Sequence, residues 1–109
     1  MRIAIIGSRG LHVVDLEKYL PEDVTEIVSG GAKGVDSDAE HYARENGLKM
    51  TVFLPDYARY GRGAPIRRNE QIVDHADEVI AFWDGASRGT LSVIKYCEKM
   101  GKKISVVQM

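Results

Sequence analysis

The chain has 109 residues, 44% hydrophobic and 28% charged, with a formal net charge of −1. That length fits one domain and leaves no room for a second, and the composition excludes a disordered chain. The near-neutral charge gives no general pull toward nucleic acid or an anionic membrane, and the single cysteine, Cys97, excludes an intramolecular disulfide.

The first predicted element is a strand over Arg2–Gly7 (RIAIIG). It is interrupted too soon to read as a signal peptide, and no later apolar run approaches bilayer-spanning length, so a cytoplasmic protein without membrane contact is expected. Val13, Leu16 and Tyr19 or Leu20 fall on one helical face, with Pro21 near its end. A second strand follows at Glu26–Ser29. Ser37-x-x-Glu40 has the form of a capping box, ahead of a helix with Ala39, Tyr42 and Ala43 on one face and a stop at Asn46-Gly47. The third strand is Met50–Leu54. Pro55–Ala64 (PDYARYGRGA) is the longest irregular stretch and is read as a ligand or partner loop. Pro65 opens a third helix with Ile66, Val73 and Ala76 on its face. The fourth strand is Glu78–Trp83. The fourth helix carries Leu91, Ile94 and Cys97 and ends at Gly101, before the fifth strand at Lys103–Val107.

Strands apolar on both sides imply a parallel sheet buried on both faces. Their alternation with helices implies a single α/β domain spanning residues 1–109: a doubly wound, three-layer α/β/α arrangement on a five-stranded parallel sheet. In such a sheet ligands bind beyond the carboxyl ends of the strands. Four loops lie there: Gly7-Ser8-Arg9-Gly10; Ser29-Gly30-Gly31-Ala32-Lys33-Gly34-Val35-Asp36; the tyrosine- and arginine-bearing loop leading into Arg67-Arg68-Asn69; and Asp84-Gly85-Ala86-Ser87-Arg88-Gly89-Thr90. Glycine permits positive φ and close approach of a ligand to the main chain. The helices that follow offer N–H groups and partial positive charge to phosphate. Arg9, Lys33, Arg59, Arg62, Arg67, Arg68 and Arg88, roughly half of the 15 lysines and arginines, fall in or beside these loops and favour an anionic ligand. There is no G-x-x-x-x-G-K-[ST] and no G-x-G-x-x-G, so neither a P-loop ATPase nor ordinary dinucleotide binding is indicated.

The segments GSRG, SGGAKGVDSDAE, RRN and ASRGT, in this order, resemble the superfamily of Rossmann-like domains shared by DNA-processing protein A and the "lonely guy" nucleotide phosphoribohydrolases, in particular its small stand-alone bacterial members. The resemblance spans essentially the whole chain. It implies strand order 3-2-1-4-5 and a nucleotide-type ligand between the first loop, the Gly30–Asp36 loop and the Gly89-Thr90 turn. Gly30, Gly31 and Gly34 match the family's phosphate or ribose loop, and Arg67 or Arg68 its arginine ahead of the fourth strand. The phosphoribohydrolases follow their glycine-threonine turn with catalytic acidic residues. Here Gly89-Thr90 is followed by Leu91-Ser92-Val93, and Glu98 lies about two turns further on.

The expected ligand residues are therefore Gly7, Ser8, Arg9, Gly30, Gly31, Ala32, Lys33, Gly34, Asp36, Arg67, Arg68, Asn69, Asp84, Ser87, Gly89 and Thr90. Asp36 and Asp84 are either acid, base or ribose contacts or helix caps, with Asp36 the better catalytic candidate. His12, His41 and His75 show no metal spacing, and no motif requires a cofactor. Cys97 reads as core; Trp83, Tyr57 and Tyr60 read as stacking or packing residues; Asp74, Asp77 and Glu78 read as a solvated helix end. Three functions fit: a sensor or carrier of a phosphorylated nucleoside compound, a hydrolase or transferase acting on one, and a single-stranded DNA binder. So short a chain is also expected to self-associate into a homo-oligomer.

Overall fold

The computed structural model describes residues 1–31 and 34–109. Its strands are β1 (Arg2–Gly7), β2 (Glu26–Ser29), β3 (Lys49–Val52), β4 (Glu78–Trp83) and β5 (Ile104–Gln108). Its helices are α1 (Val35–Glu45), α2 (Tyr57–Tyr60), α3 (Ala64–His75) and α4 (Arg88–Met100). The five strands pair in parallel in the order β3-β2-β1-β4-β5, a Rossmann-like sheet.

The central strands are buried on both faces because their residues alternate between two cores. Ala4 and Ile6 of β1, Val28 of β2, and Val79 and Ala81 of β4 join Ile72, Val73, Val93, Ile94 and Cys97 from α3 and α4. Ile3, Ile5, Ile27, Ile80 and Phe82 turn the other way and meet Val35, Ala39 and Ala43 of α1. Burial on both faces does not extend to the edge strands. Most of β3 and β5 is half-buried or exposed, since each has only one neighbouring strand.

The first crossover is not the predicted helix. Val13 and Leu16 are buried and Tyr19 packs edge-on against Phe82 at 5.1 Å, yet helical structure is limited to a 3₁₀ turn at Leu16–Lys18. Asp15, ahead of that turn, sits at φ −127° and ψ 54°, outside the helical region. Inward-facing residues at i, i+3 and i+6 match the 3₁₀ repeat of three residues as well as an α-helical stripe. Asp38 of α1 accepts the Val13 N–H at 2.8 Å and holds the segment in this course.

Three other boundaries move. α1 starts after Gly34 (φ +83°), its N-cap, so Ser37 lies inside the first turn rather than at the cap position. Pro55–Ala64 is not irregular: Asp56 accepts the Arg59 N–H at 3.1 Å and starts α2, and a 3₁₀ turn at Gly61–Gly63 runs into α3. Ile66 stands 56% exposed on the outer side of α3, whose buried face is carried by Ile72 and Val73. The acidic group around the end of α3 is partnered, not merely solvated. Asp74 accepts from Tyr96 Oη, Asp77 from the Arg2 N–H, and Glu78 pairs with Lys103.

A buried carboxylate fastens the far end of α3. The side chain of Glu26, 8% exposed at the start of β2, meets His75 Nε2 at 2.7 Å, accepts from Thr51 Oγ1 at 2.8 Å and lies 3.6 Å from Lys49 Nζ. Burial alone pushes its pKa up, but the hydrogen bonds from His75 and Thr51 and the Lys49 charge outweigh burial and hold it below the usual glutamate range. A depressed folded-state pKa contributes stability that is present above the unfolded value and lost as pH falls through the folded one. Glu26→Gln is therefore expected to cost about 1–3 kcal/mol at neutral pH. It should also flatten the acid limb of a stability-versus-pH curve from urea melts. An acid limb identical to wild type would refute this role.

Candidate functional site

A cleft of about 350 Å³ opens at the carboxyl end of the sheet. Its floor lies at the ends of β1 and β4, through Ile6 and Asp84, where the chain turns one way to build β2 and β3 and the other way to build β5. This is the switch point of a doubly wound sheet, and the volume falls in the small-ligand range of about 300–1,000 Å³.

The β1 side is built on contact between backbones. A Cβ on Gly7 would lie 2.3 Å from Val35 Cβ, so α1 begins pressed against the end of β1. Ser8 is buried beneath the cleft and does not line it. Its N–H donates to Phe82 O at 3.1 Å, its Oγ accepts the Asp84 N–H at 3.3 Å, and it lies 3.3 Å from Thr90 Oγ1. The side chain thus joins the β1 loop, the β4 loop and α4. Arg9 is exposed at the cleft wall.

On the β2 side, Gly30 lines the cleft and Arg68 lies across it. Arg68 Nη1 donates to Gly30 O at 2.8 Å and Nε donates to Asn69 Oδ1 at 2.9 Å. A Cβ on Gly30 would come 2.7 Å from Nη1, so a larger residue there would push this guanidinium aside. Asp36, in the first turn of α1, is buried and lines the same wall. Gly31 and Gly34 do not line it. Gly31 (φ +72°) stands against Val52 and Leu54, and Gly34 shapes the turn into α1 against Leu11 O. Ala32 and Lys33 lie outside the described residues.

Helix α3 supplies one face. Pro65, Arg68, Asn69 and Ile72 recur at helical spacing and all line the cleft. Arg67 belongs to the opposite face, where it pairs with Glu70 at 3.1 Å and stacks over the Tyr60 ring at 5.7 Å. Of the two arginines that matched equally in sequence, Arg68 is the one at the cleft.

The β4 side is a self-capped turn. Asp84 Oδ1 accepts from the N–H groups of Ala86 at 2.9 Å and Ser87 at 2.8 Å. Ser87 Oγ accepts from the Thr90 N–H at 3.4 Å, and Trp83 Nε1 donates to Ser87 O at 3.1 Å. The Ala86 and Ser87 N–H groups hold the Asp84 carboxyl below its usual range, so it stays ionised near neutrality and is unsuited to general-acid work. Gly89 leaves open space at the start of α4, and Ser87 and Thr90 line the wall beside it.

The cleft thus gathers Gly7, Arg9, Gly30, Asp36, Arg68, Asn69, Asp84, Ser87, Gly89 and Thr90 from all four loops. The apolar residues Ile6, Pro65 and Ile72 were not anticipated as part of it. The signal for two of them was present: Pro65 and Ile72 stand three residues before and four after Arg68. Tyr57, Tyr60, Arg59, Arg62, Arg88 and Trp83 do not line it. The histidines pair elsewhere: His12 with Asp38, His41 with Glu45 and His75 with Glu26. Burial pushes the Cys97 thiol up to about 11, which leaves it unreactive near neutral pH. Among the described residues no group of His, Cys, Asp or Glu is placed to hold a metal ion, and no helix is long and apolar enough to cross a membrane.

The chemistry this set offers is recognition. Two guanidinium groups suit an anion, two carboxylates and the Ser87 and Thr90 hydroxyls suit a polyol, and Ile6, Pro65 and Ile72 suit a ring face. No protein-family profile matches the chain, and neither curated proteins nor solved structures give a match.

Proposed function

We propose that the cleft binds a nucleotide or another phosphorylated nucleoside compound, and that the protein serves as its sensor or carrier. The supporting observation is the meeting of Arg9, Arg68, Gly7, Gly30 and the Gly89-bearing start of α4 at the switch point of the sheet. Helix starts of this kind favour phosphate, and the resemblance of GSRG, SGGAKGVDSDAE, RRN and ASRGT to nucleotide-binding Rossmann-like domains points the same way. Chemistry is not favoured: Asp84 is engaged in its own turn, and no carboxylate follows Thr90 within the first turn of α4. A thermal-shift panel of nucleoside mono- and diphosphates, sugar phosphates and ADP-ribose tests the reading, since a ligand of the native state raises the melting temperature. The expected result is stabilisation by phosphorylated nucleosides and none by the bare nucleosides. Silence from every phosphorylated compound would end the proposal.

One observation favours turnover as a second reading. Asp36 is a buried carboxylate on the cleft wall. If it acts as acid or base on a glycosidic bond, Asp36→Asn lowers release of free base by about a hundredfold or more, the usual range for losing such a group. Unchanged release would remove Asp36 from that role.

A further inference from the structure

We propose that a groove on the α1 side of the molecule takes the α2 turn of a second copy of this chain. The groove, of about 510 Å³, lies where the β1–β2 connection passes over α1. Val13 and Leu16 form its floor, and Val14, 97% exposed, stands on its rim. That rim is acidic. Glu17, Asp38 and Glu45 line it, and no lysine or arginine does. Among the described residues the ion pairs of Asp38 and Glu45 are with His12 and His41, and Glu17 has no ion-pair partner.

The complementary surface is on the same chain. The turn Tyr57–Arg62 (YARYGR) contains no carboxylate. Tyr57 is 61% exposed, and Arg59 and Arg62 are exposed without an ion-pair partner among the described residues. Arg59 instead stacks on Tyr60 at 5.3 Å. α2 packs on the Gly61–Gly63 turn and on α3, and Tyr57, Ala58 and Arg59 stay exposed on its outer side. An apolar floor with an acidic rim fits an aromatic turn flanked by arginines: Tyr57 covers Val14, and Arg59 and Arg62 meet Glu17 and Glu45. Complementary charge selects the partner and its register, and the desolvated apolar centre supplies the affinity. The contact joins two different surfaces, so it is heterologous and propagates into a ring or an open chain of copies. It does not depend on what the cleft binds.

Two double variants test this. Arg59→Glu/Arg62→Glu spoils the turn and keeps the groove; Glu17→Lys/Glu45→Lys spoils the groove and keeps the turn. None of the four residues lines the cleft, and all four are exposed, so both variants should keep the wild-type circular-dichroism spectrum. In sedimentation velocity the wild-type chain is expected to self-associate. Raising salt from about 0.05 M to about 0.5 M should weaken this roughly tenfold or more by screening. Each double variant alone should sediment as a monomer. Their equimolar mixture should associate again, because the intact groove of one meets the intact turn of the other and the reversed charges of the lysine groove and the glutamate turn also match. A monomeric wild-type chain, an assembly that survives both double substitutions, or a mixture that stays monomeric would each overturn the proposal. So would a monomeric wild type whose arginine turn instead carries salt-dependent binding to an oligonucleotide.

Discussion

Alanine at Gly7 is expected to destabilise the fold by about 3 kcal/mol, the upper part of the range for overpacking a well-filled site. The reason is contact, not backbone freedom, since Gly7 does not have positive φ. A Cβ there would meet Val35 Cβ and Cγ2 at 2.3 Å, and neither can swing aside because Val35 is the fully buried first residue of α1. The whole helix start would have to back away from β1, carrying Asp36 out of the cleft wall. Trimming Val35 to alanine should not rescue the variant, because the clash includes Val35 Cβ itself. Gly10→Ala makes an informative control. Gly10 has φ +84° but no described residue within 4 Å of its added Cβ, so it incurs the left-handed penalty of about 1–2 kcal/mol. Urea midpoints compare the two directly. A Gly7→Ala midpoint equal to that of wild type would show that β1 and α1 are not locked together here.

Loss of the Arg68 side chain should lower affinity for the most stabilising nucleoside phosphate by about tenfold to a hundredfold, the usual worth of a charge-assisted contact. Two donors of the guanidinium are already engaged, with Gly30 O and Asn69 Oδ1, and these bonds aim the rest of the group at the cleft. Lysine in its place should recover only part of the affinity, because a single ammonium cannot hold both acceptors in a planar fork and face the ligand as well. Arg67→Ala is the matched control. Its guanidinium lies on the outer face beside Glu70 and Tyr60, so affinity should stay within about twofold of wild type, as for most exposed charges. Calorimetric titration of the three variants decides the matter. Equal losses from Arg67 and Arg68 would indicate a diffuse field effect rather than a positioned contact.

How much of this was legible in the sequence varies with how local the determinants are. β1, β2 and β4 were readable to the residue because each is a short β-branched run buried on both faces. The C-terminus of α4 was readable because Gly101 takes φ +69° there. The β1–β2 connection was not, since Val13, Leu16 and Tyr19 fit a 3₁₀ repeat as well as an α-helix and a tertiary hydrogen bond from the Val13 N–H to Asp38 decides between them. The glycine loops announced the cleft because each follows a strand end. Its apolar floor stayed hidden: Ile6 and Ile72 are also ordinary core residues, and only the stacking of α3 over β1 exposes their edges to the cleft. Arg67 and Arg68 were indistinguishable until the phase of α3 was fixed by Ile72 and Val73 facing the core.

The self-capped turn after β4 bears on the entropy of binding. Asp84, Ser87 and the Trp83 indole satisfy that turn's own donors and acceptors, so its shape is set before a ligand arrives. A ligand resting against Ser87 and Gly89 orders little chain on that side, and preorganisation of this kind favours affinity without requiring new contacts. Asp84→Ala would return the turn to several conformations. The loss should then appear mainly as a less favourable binding entropy, even though the carboxylate removed is negatively charged and an anionic ligand would otherwise welcome its absence.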